Sequence, residues 1–298
     1  MARPDLFLAQ PQSATLEAAL AERFTLHRGT APATTRAVVG GGSLRWRAAD
    51  CERLPALEIV AIHGVGHDGI DLDAARARGV RVTITPEVLT DDVADLALAL
   101  WLAVERAVVA NDRAVRDGGW GVPLARRATG RRVGIFGLGQ IGRAIAARAA
   151  PFAGWIGYCA RSAKPVPYER LPDIAALAAA SDVLILAAPG GAATERAVDA
   201  AVLGALGAGG VLVNVARGSL VDEAALVRAL ERGVIAGAGL DVFADEPRVP
   251  AALRALPQVV LAPHQGSATR EARAAMEALV LANLDAWLAG KPPVSAIA

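Results

Sequence analysis

The run Val133-Gly134-Ile135-Phe136-Gly137-Leu138-Gly139-Gln140-Ile141-Gly142 constrains this chain more than any other feature. An apolar β-type stretch leads into Gly-x-Gly-x-x-Gly, and an alanine-rich helical stretch follows at once. Gly137 suits the tight turn, Gly139 lets the backbone approach a pyrophosphate, and Gly142 permits close packing of helix on strand. The N–H groups that open the helix, those of Gln140 and Ile141 among them, face an anion at the positive end of the helix dipole. Such a unit predicts dinucleotide binding when strands of the same kind surround it.

They do surround it. Arg132–Phe136, Trp155–Tyr158, Val183–Ala187, Val211–Val215, Ala236–Leu240 and Val259–Leu261 read as Val- and Ile-rich strands with helical stretches between them. That alternation predicts an α/β fold with a doubly wound parallel sheet of the Rossmann type. Upstream, Leu6–Ala9, Ala37–Gly40, Ile59–Ile62 and Val80–Ile84 read as strands, with helices at Ala14–Arg23 and Leu72–Arg78, and form a second α/β unit. Asp91 to Arg116 reads as one long helix capped by Thr90 and stopped by the breaker cluster Asp117 to Pro123. Ala268 to Leu288 is a further long helix.

Composition narrows the function. The 298 residues carry 31 basic and 30 acidic side chains, a net charge of +1, which argues against a nucleic-acid binder or a polybasic membrane anchor. Apolar residues make up 54%, yet no run reaches the ~20 residues of a bilayer span. Leu96 to Val104, for example, is bounded by Asp95 and Glu105. Met-Ala-Arg-Pro-Asp does not begin a secretory signal, so a soluble cytoplasmic protein is expected. Cys51 and Cys159 are the only cysteines and four histidines are scattered, so no metal site is expected.

The residue that reads the cofactor ribose should lie ~20 positions beyond the glycine turn. Arg161 lies 19 residues past Gly142, and the turn Cys159 to Lys164 holds no Asp or Glu. A carboxylate there would accept the ribose hydroxyls of NAD and repel a 2′-phosphate. Arg161, Ser162 and Lys164 instead suit that phosphate, so NADP(H) is predicted, with NAD(H) as the alternative.

Three later stretches carry polar residues that packing alone would not choose. They are Asn214-Val215-Ala216-Arg217-Gly218-Ser219, Asp241-Val242-Phe243-Ala244-Asp245-Glu246-Pro247 and Pro263-His264-Gln265-Gly266-Ser267. Each follows an apolar strand, where open α/β sheets bind their ligands. With Gly64-Val65-Gly66-His67-Asp68 and Thr85 to Asp95, they give the chain a resemblance to the D-isomer-specific 2-hydroxyacid dehydrogenase family, in its glyoxylate/hydroxypyruvate reductase-like branch. The likeness runs from about Glu58 to the C-terminus, and the first ~57 residues match in general pattern only.

The resemblance implies Arg217, Glu246 and His264 as the catalytic set. It implies a cofactor site of Thr90, Ala188, Pro189, Val215, Ala216, Arg217, Asp241, His264, Gly266 and Ser267 beside the glycine turn. Asp241 has two readings, a nicotinamide contact or a strand-end brace. Substrate contacts are expected from Leu44, from the backbone of Val65 and Gly66, and from Arg217 and His264. The resemblance also implies a discontinuous, flavodoxin-like substrate domain of residues 1–97 and 269–298 around a dinucleotide domain of 98–268, with substrate between them. A homodimer through the helix after Asp91 and the loop around Trp120 is implied as well.

These residue types suit reduction of a 2-oxoacid. Imidazole exchanges protons near neutral pH, so His264 suits the proton donor. Glu246 beside it would orient the ring and favour its protonated form. Arg217 offers a planar fork to the substrate carboxylate. Glyoxylate and hydroxypyruvate lead as substrates. A bulkier acid such as hydroxyphenylpyruvate or 2-ketogluconate is the alternative, with Gly41 to Trp46 expected on the pocket rim, and a catalytically idle NADP(H)-sensing protein is the other. His67 and Gly190 to Thr194 depart from the family pattern, and His63 reads as a strand-end residue.

Overall fold

The computed structural model describes residues 3–120 and 123–298. Gly121 and Val122 of the expected breaker cluster, and Met1 and Ala2, lie outside them. The chain divides into two compact units, Met1–Leu89 with Thr269–Ala298, and Thr90–Ala268. The break falls at Leu89–Thr90, whereas the sequence reading put it after residue 97.

The first unit contains β1 (Asp5–Leu8), α1 (Ala14–Ala21), β2 (Thr25–Arg28), β3 (Thr35–Gly41), α2 (Ala48–Arg53), β4 (Ile59–His63), α3 (Leu72–Ala77) and β5 (Arg81–Thr83). Its five strands are parallel in the order β2-β1-β3-β4-β5, the flavodoxin-like order. β4 is buried at every position, as a parallel strand covered on both faces must be. The C-terminal helix of the chain joins this unit through Val280, Leu284 and Trp287, which pack with Leu6, Leu16 and Leu20. Trp287 also donates to Glu58 at 3.0 Å.

The second unit contains α4 (Thr90–Glu105), α5 (Val108–Arg116), β6 (Arg131–Phe136), α6 (Gln140–Ala149), β7 (Ala153–Cys159), β8 (Glu169–Arg170), α7 (Ile174–Ala179) and β9 (Val183–Leu186). It continues with α8 (Ala200–Leu206), β10 (Val211–Asn214), α9 (Glu223–Glu231), β11 (Gly237–Leu240), α10 (Ala251–Ala255) and β12 (Val259–Leu261). The chain's last helix, α11 (Arg270–Leu288), is the one that packs in the first unit. Seven parallel strands run β12-β11-β10-β9-β6-β7-β8. The chain starts at β6 and winds to either side, so β6 and β9 flank the switch point where such sheets take a ligand.

Local chemistry explains the helix starts. Asp173, Asp199 and Asp222 cap α7, α8 and α9 by accepting a backbone N–H two or three residues on, and Thr269 does the same for α11. Glycines in β11 let α4 lie close on the sheet: a Cβ on Gly239 would stand 2.9 Å from Leu100 Cβ, and one on Gly237 2.8 Å from Val104 Cγ1.

The helix expected from Asp91 to Arg116 is two helices. Ala107 takes a left-handed φ of 49° and breaks the pattern, although no Gly or Pro marks the place. Before the break, Glu105 is fully buried and lies 3.0 Å from Arg126 and 3.4 Å from Arg131, which ties the returning chain to α4. After it, α5 buries none of its side chains, and Val108, Val115, Trp120 and Leu124 are exposed. No helix among the described residues is long and apolar enough to cross a membrane.

Candidate active site

The glycine turn joins β6 to α6 beside the end of β9. Gly137 has φ 95°, and a Cβ there would stand 2.5 Å from Ala188 Cα, so only glycine allows the two strand ends to meet. A Cβ on Gly142 would stand 2.1 Å from the Gly137 carbonyl oxygen. Gly139 differs, because a Cβ there would meet nothing within 4 Å. It stands at the exposed N-cap of α6, with Gln140 and Ile141 opening the helix. Packing therefore explains two of the glycines, and the third borders open space over a helix N-terminus.

The turn beyond β7 carries the ribose candidates. Arg161 and Ser162 are exposed and Lys164 is half-buried. The Lys164 amide donates to the Tyr158 hydroxyl at 2.9 Å, and Arg170 Nη2 donates to the carbonyls of Ala160 at 3.1 Å and Arg161 at 3.4 Å. Sequence reasoning had assigned Tyr158 and Arg170 no part here. After β9, Ala188 is buried and Pro189 exposed, and Thr194 donates its hydroxyl to the Pro189 carbonyl at 2.7 Å.

The polar cluster lies on the other side of the switch point, at the C-terminal ends of β10, β11 and β12. Asn214, buried at the end of β10, accepts from the Ala216 amide at 3.0 Å and donates to the Arg217 carbonyl at 2.9 Å. These bonds shape the turn of Val215 and Ala216 that presents Arg217. A Cβ on Gly218 would lie 1.9 Å from the Phe243 carbonyl carbon, so glycine lets the Arg217 turn press against the loop that carries Glu246. The Glu246 carboxylate accepts from the Phe243 amide at 3.1 Å and from His264 Nδ1 at 2.7 Å.

His264 sits in a left-handed turn at φ 55°, an uncommon conformation for a side chain of its size. Asp241 holds it there. The buried carboxylate accepts from the Gln265 amide at 2.6 Å and the Gly266 amide at 2.9 Å, and the Asp241 carbonyl accepts from the His264 amide at 2.8 Å. Of the two readings of Asp241, this geometry builds the strand-end brace. Ser267 follows half-buried, and Thr90 is half-buried at the start of α4.

The electrostatics follow. Burial pushes the Glu246 carboxyl up, but the hydrogen bond and charge of His264, the Phe243 amide and the Arg217 charge outweigh it and hold Glu246 below the usual carboxylate range. Burial pushes Asp241 above that range, against its two amide bonds. With Nδ1 bonded to a carboxylate, the His264 ring donates there, which leaves Nε2 for other partners.

In the first unit, Val65 and Gly66 are half-buried in the turn after β4, where His67 Nδ1 donates to the Val65 carbonyl at 3.0 Å. His63 is buried at the end of β4 and bonded to Gln12 at 3.1 Å. Leu44 and Trp46 do not line a rim. They are 7% and 5% exposed and belong to the apolar core. The chain folds back after β3, with the Leu44 amide on the Gly41 carbonyl at 2.9 Å, and this tucks Leu44 under the strand end, 2.7 Å from where a Gly40 Cβ would be. With those two side chains buried, the accessible part of Gly41 to Trp46 is Gly41, Gly42, Ser43 and Arg45.

A doubly wound sheet with a glycine turn at its switch point and a histidine–carboxylate pair on the same rim defines a class, the dinucleotide-dependent oxidoreductases. Residues 98–266 match the family model for the D-isomer specific 2-hydroxyacid dehydrogenase, NAD binding domain. The chain is 47% identical to glyoxylate/hydroxypyruvate reductase A of Arabidopsis thaliana, over 94% of this chain and 95% of that one. It is 44% identical to 2-ketogluconate reductase of Gluconobacter oxydans, over 97% of both. Its fold is similar to the crystal structure of the NADPH-dependent glyoxylate/hydroxypyruvate reductase of Sinorhizobium meliloti in complex with NADP and malonate, at TM-score 0.94 and 41% identity, covering 100% of this chain and 97% of that one. The chain belongs to the D-isomer-specific 2-hydroxyacid dehydrogenase family, in its reductase branch.

Proposed function

We propose that the protein reduces a small 2-oxoacid, glyoxylate or hydroxypyruvate, to the D-2-hydroxyacid with NADPH. The observation that carries the reading is the 2.7 Å contact of His264 Nδ1 with Glu246 on a rim that also bears Arg217. Reduction adds a hydride to C2 and a proton to the carbonyl oxygen. The nicotinamide supplies the hydride when bound. His264, oriented through Nδ1, delivers the proton from Nε2, and Glu246 stabilises the ring while it is charged. Arg217 holds the substrate carboxylate and offsets negative charge as it develops on the oxygen. Val65 and Gly66 are the first unit's candidates for substrate contact, through backbone amides.

The residues fit a dinucleotide. The space over Gly139 is open, and the α6 N-terminus beside it offers its amides to a pyrophosphate. The exposed Arg161 and Ser162 support the 2′-phosphate as the feature read beyond it. Relatives of this chain that reduce glyoxylate or hydroxypyruvate, one of them with NADPH, support the substrate class. The test is the initial rate of NADPH and NADH oxidation with glyoxylate, hydroxypyruvate, 2-ketogluconate and phenylpyruvate. Faster NADPH oxidation with the two small acids is expected. A preference for 2-ketogluconate would replace the substrate, and tight NADPH binding with no turnover would replace the enzyme by a cofactor sensor.

The exposed apolar side chains of α5 and the segment after it support a homodimer through that surface. Light scattering should give twice the chain mass, and a single-chain mass would remove the dimer.

A further inference from the structure

We propose that Tyr158 and Arg170 are positioning residues for cofactor choice, holding the Arg161–Lys164 turn in the shape that meets a 2′-phosphate. The inference rests on the NADPH reading above and adds to it what makes the turn selective.

The turn needs a scaffold. It is exposed, it brings Arg161 and Lys164 within four positions of each other, and the sheet beside it ends in β8, a strand of only two residues. Like charges on a mobile loop repel, and a loop that must be ordered at binding weakens the interaction it makes. Here the ordering is done in advance from one rung of the sheet. Tyr158 and Arg170 are direct register partners across β7 and β8. Tyr158 is 2% exposed, so its ring is fixed in the core and its hydroxyl accepts from the Lys164 amide at the far end of the turn. Arg170 reaches the near end, where Nη2 bonds two successive carbonyls, those of Ala160 and Arg161. Two further backbone bonds close the excursion, Leu171 to Tyr158 at 2.8 Å and Val166 to Lys164 at 2.9 Å.

The types of these residues matter. Both scaffold groups reach the turn without bringing a negative charge to it. A carboxylate in either place would also tie a turn, but it would face the phosphate with like charge. The planar guanidinium holds Nη2 between two adjacent carbonyls and keeps its charge at every working pH. With Nη2 engaged on the backbone, Arg170 acts through Arg161 and Ser162 rather than as a phosphate ligand.

The experiment compares kcat and KM for NADPH and NADH in the wild type, Arg170→Met, Arg170→Lys, Tyr158→Phe, Arg161→Ala and the Arg161→Ala/Arg170→Met double variant. Tyr158→Phe should raise KM for NADPH about five- to tenfold, in line with one hydrogen bond of preorganisation, Arg170→Met, which removes two, should raise it at least as much, and both should leave kcat and the NADH constants unchanged. Arg170→Lys should recover part of the loss. In the Arg161→Ala background Arg170→Met should cost clearly less than it does in the wild type, because only the part that acts through Ser162 is left. Equal losses with both cofactors would mark a merely structural role, and additive losses would make Arg170 a separate phosphate ligand; either overturns the inference. Tyr158→Phe, which removes one oxygen, keeps the test open if Arg170→Met does not fold. If Arg161→Ala abolishes the NADPH preference while Arg170→Met and Tyr158→Phe leave it intact, only this inference fails. If the wild type has no NADPH preference, the cofactor reading fails and this inference with it.

Discussion

The turn that carries His264 is held by carboxylates, whereas the turn that carries Arg161 is held by a phenol and a guanidinium. Both lie at the C-terminal rim of one sheet, on opposite sides of its switch point. At the first, Asp241 and Glu246 accept from backbone amides and from the imidazole, and His264 is kept in a left-handed conformation. Negative charge there suits the proton transfer proposed for His264, because it steadies the ring while it is charged. At the second, the scaffold reaches carbonyls and one amide without an anion. Each turn is thus braced by groups whose charge agrees with the ligand proposed for it. The difference also divides rate from selectivity, since one turn bears the proposed acid–base pair and the other bears the exposed Arg161 and Ser162 and the half-buried Lys164.

The most forceful way to break this comparison is to remove the imidazole. His264→Ala should lower kcat by about 10²–10⁴-fold, the usual worth of a positioned acid–base group, and leave the ratio of NADPH to NADH affinity unchanged. Stopped assays for kcat and cofactor fluorescence titration for affinity measure the two separately. Near-normal turnover would deprive His264 of its role. A shifted cofactor ratio would show that the two turns are coupled, and the division of labour would then be wrong.

How far the sequence revealed this arrangement depended on the kind of signal each part leaves. The glycine turn, Arg217 and His264 were legible because each stands just after an apolar strand, and Glu246 because it closes the short loop after one; polar groups there are conspicuous against buried Val and Ile. Two of the four edge strands were not legible. β2 is Thr-Leu-His-Arg and β8 is Glu-Arg, neither of which alternates apolar with polar residues. The break at Ala107 was invisible because alanine favours helix and the left-handed φ comes from tertiary packing. Leu44 and Trp46 are expected on the pocket rim from the sequence, yet the first unit's core buries both side chains. Tyr158 read as the apolar end of a strand, which it is; its hydroxyl becomes informative only when the Lys164 amide is seen above it. Side chains that serve backbone groups leave little periodic trace, so the braces were harder to read than the residues they support.

A smaller effect would sharpen the comparison through pH. Glu246 in the folded protein lies below its ordinary value of 4.5, because the hydrogen bond and charge of His264, the Phe243 amide and the Arg217 charge outweigh burial, which acts in the opposite direction. A carboxylate whose folded value is depressed adds stability that is complete above the unfolded value and is lost as pH falls through the folded one. The difference in Tm between the wild type and Glu246→Gln should therefore stay level from neutral pH down to about 5 and close below 4.5. The corresponding difference for Arg161→Ala should be small and flat throughout, since that turn is held through backbone groups and its exposed side chain adds little. A Glu246→Gln difference that stays level to pH 3 would mean that the carboxylate does not brace the histidine turn by its charge.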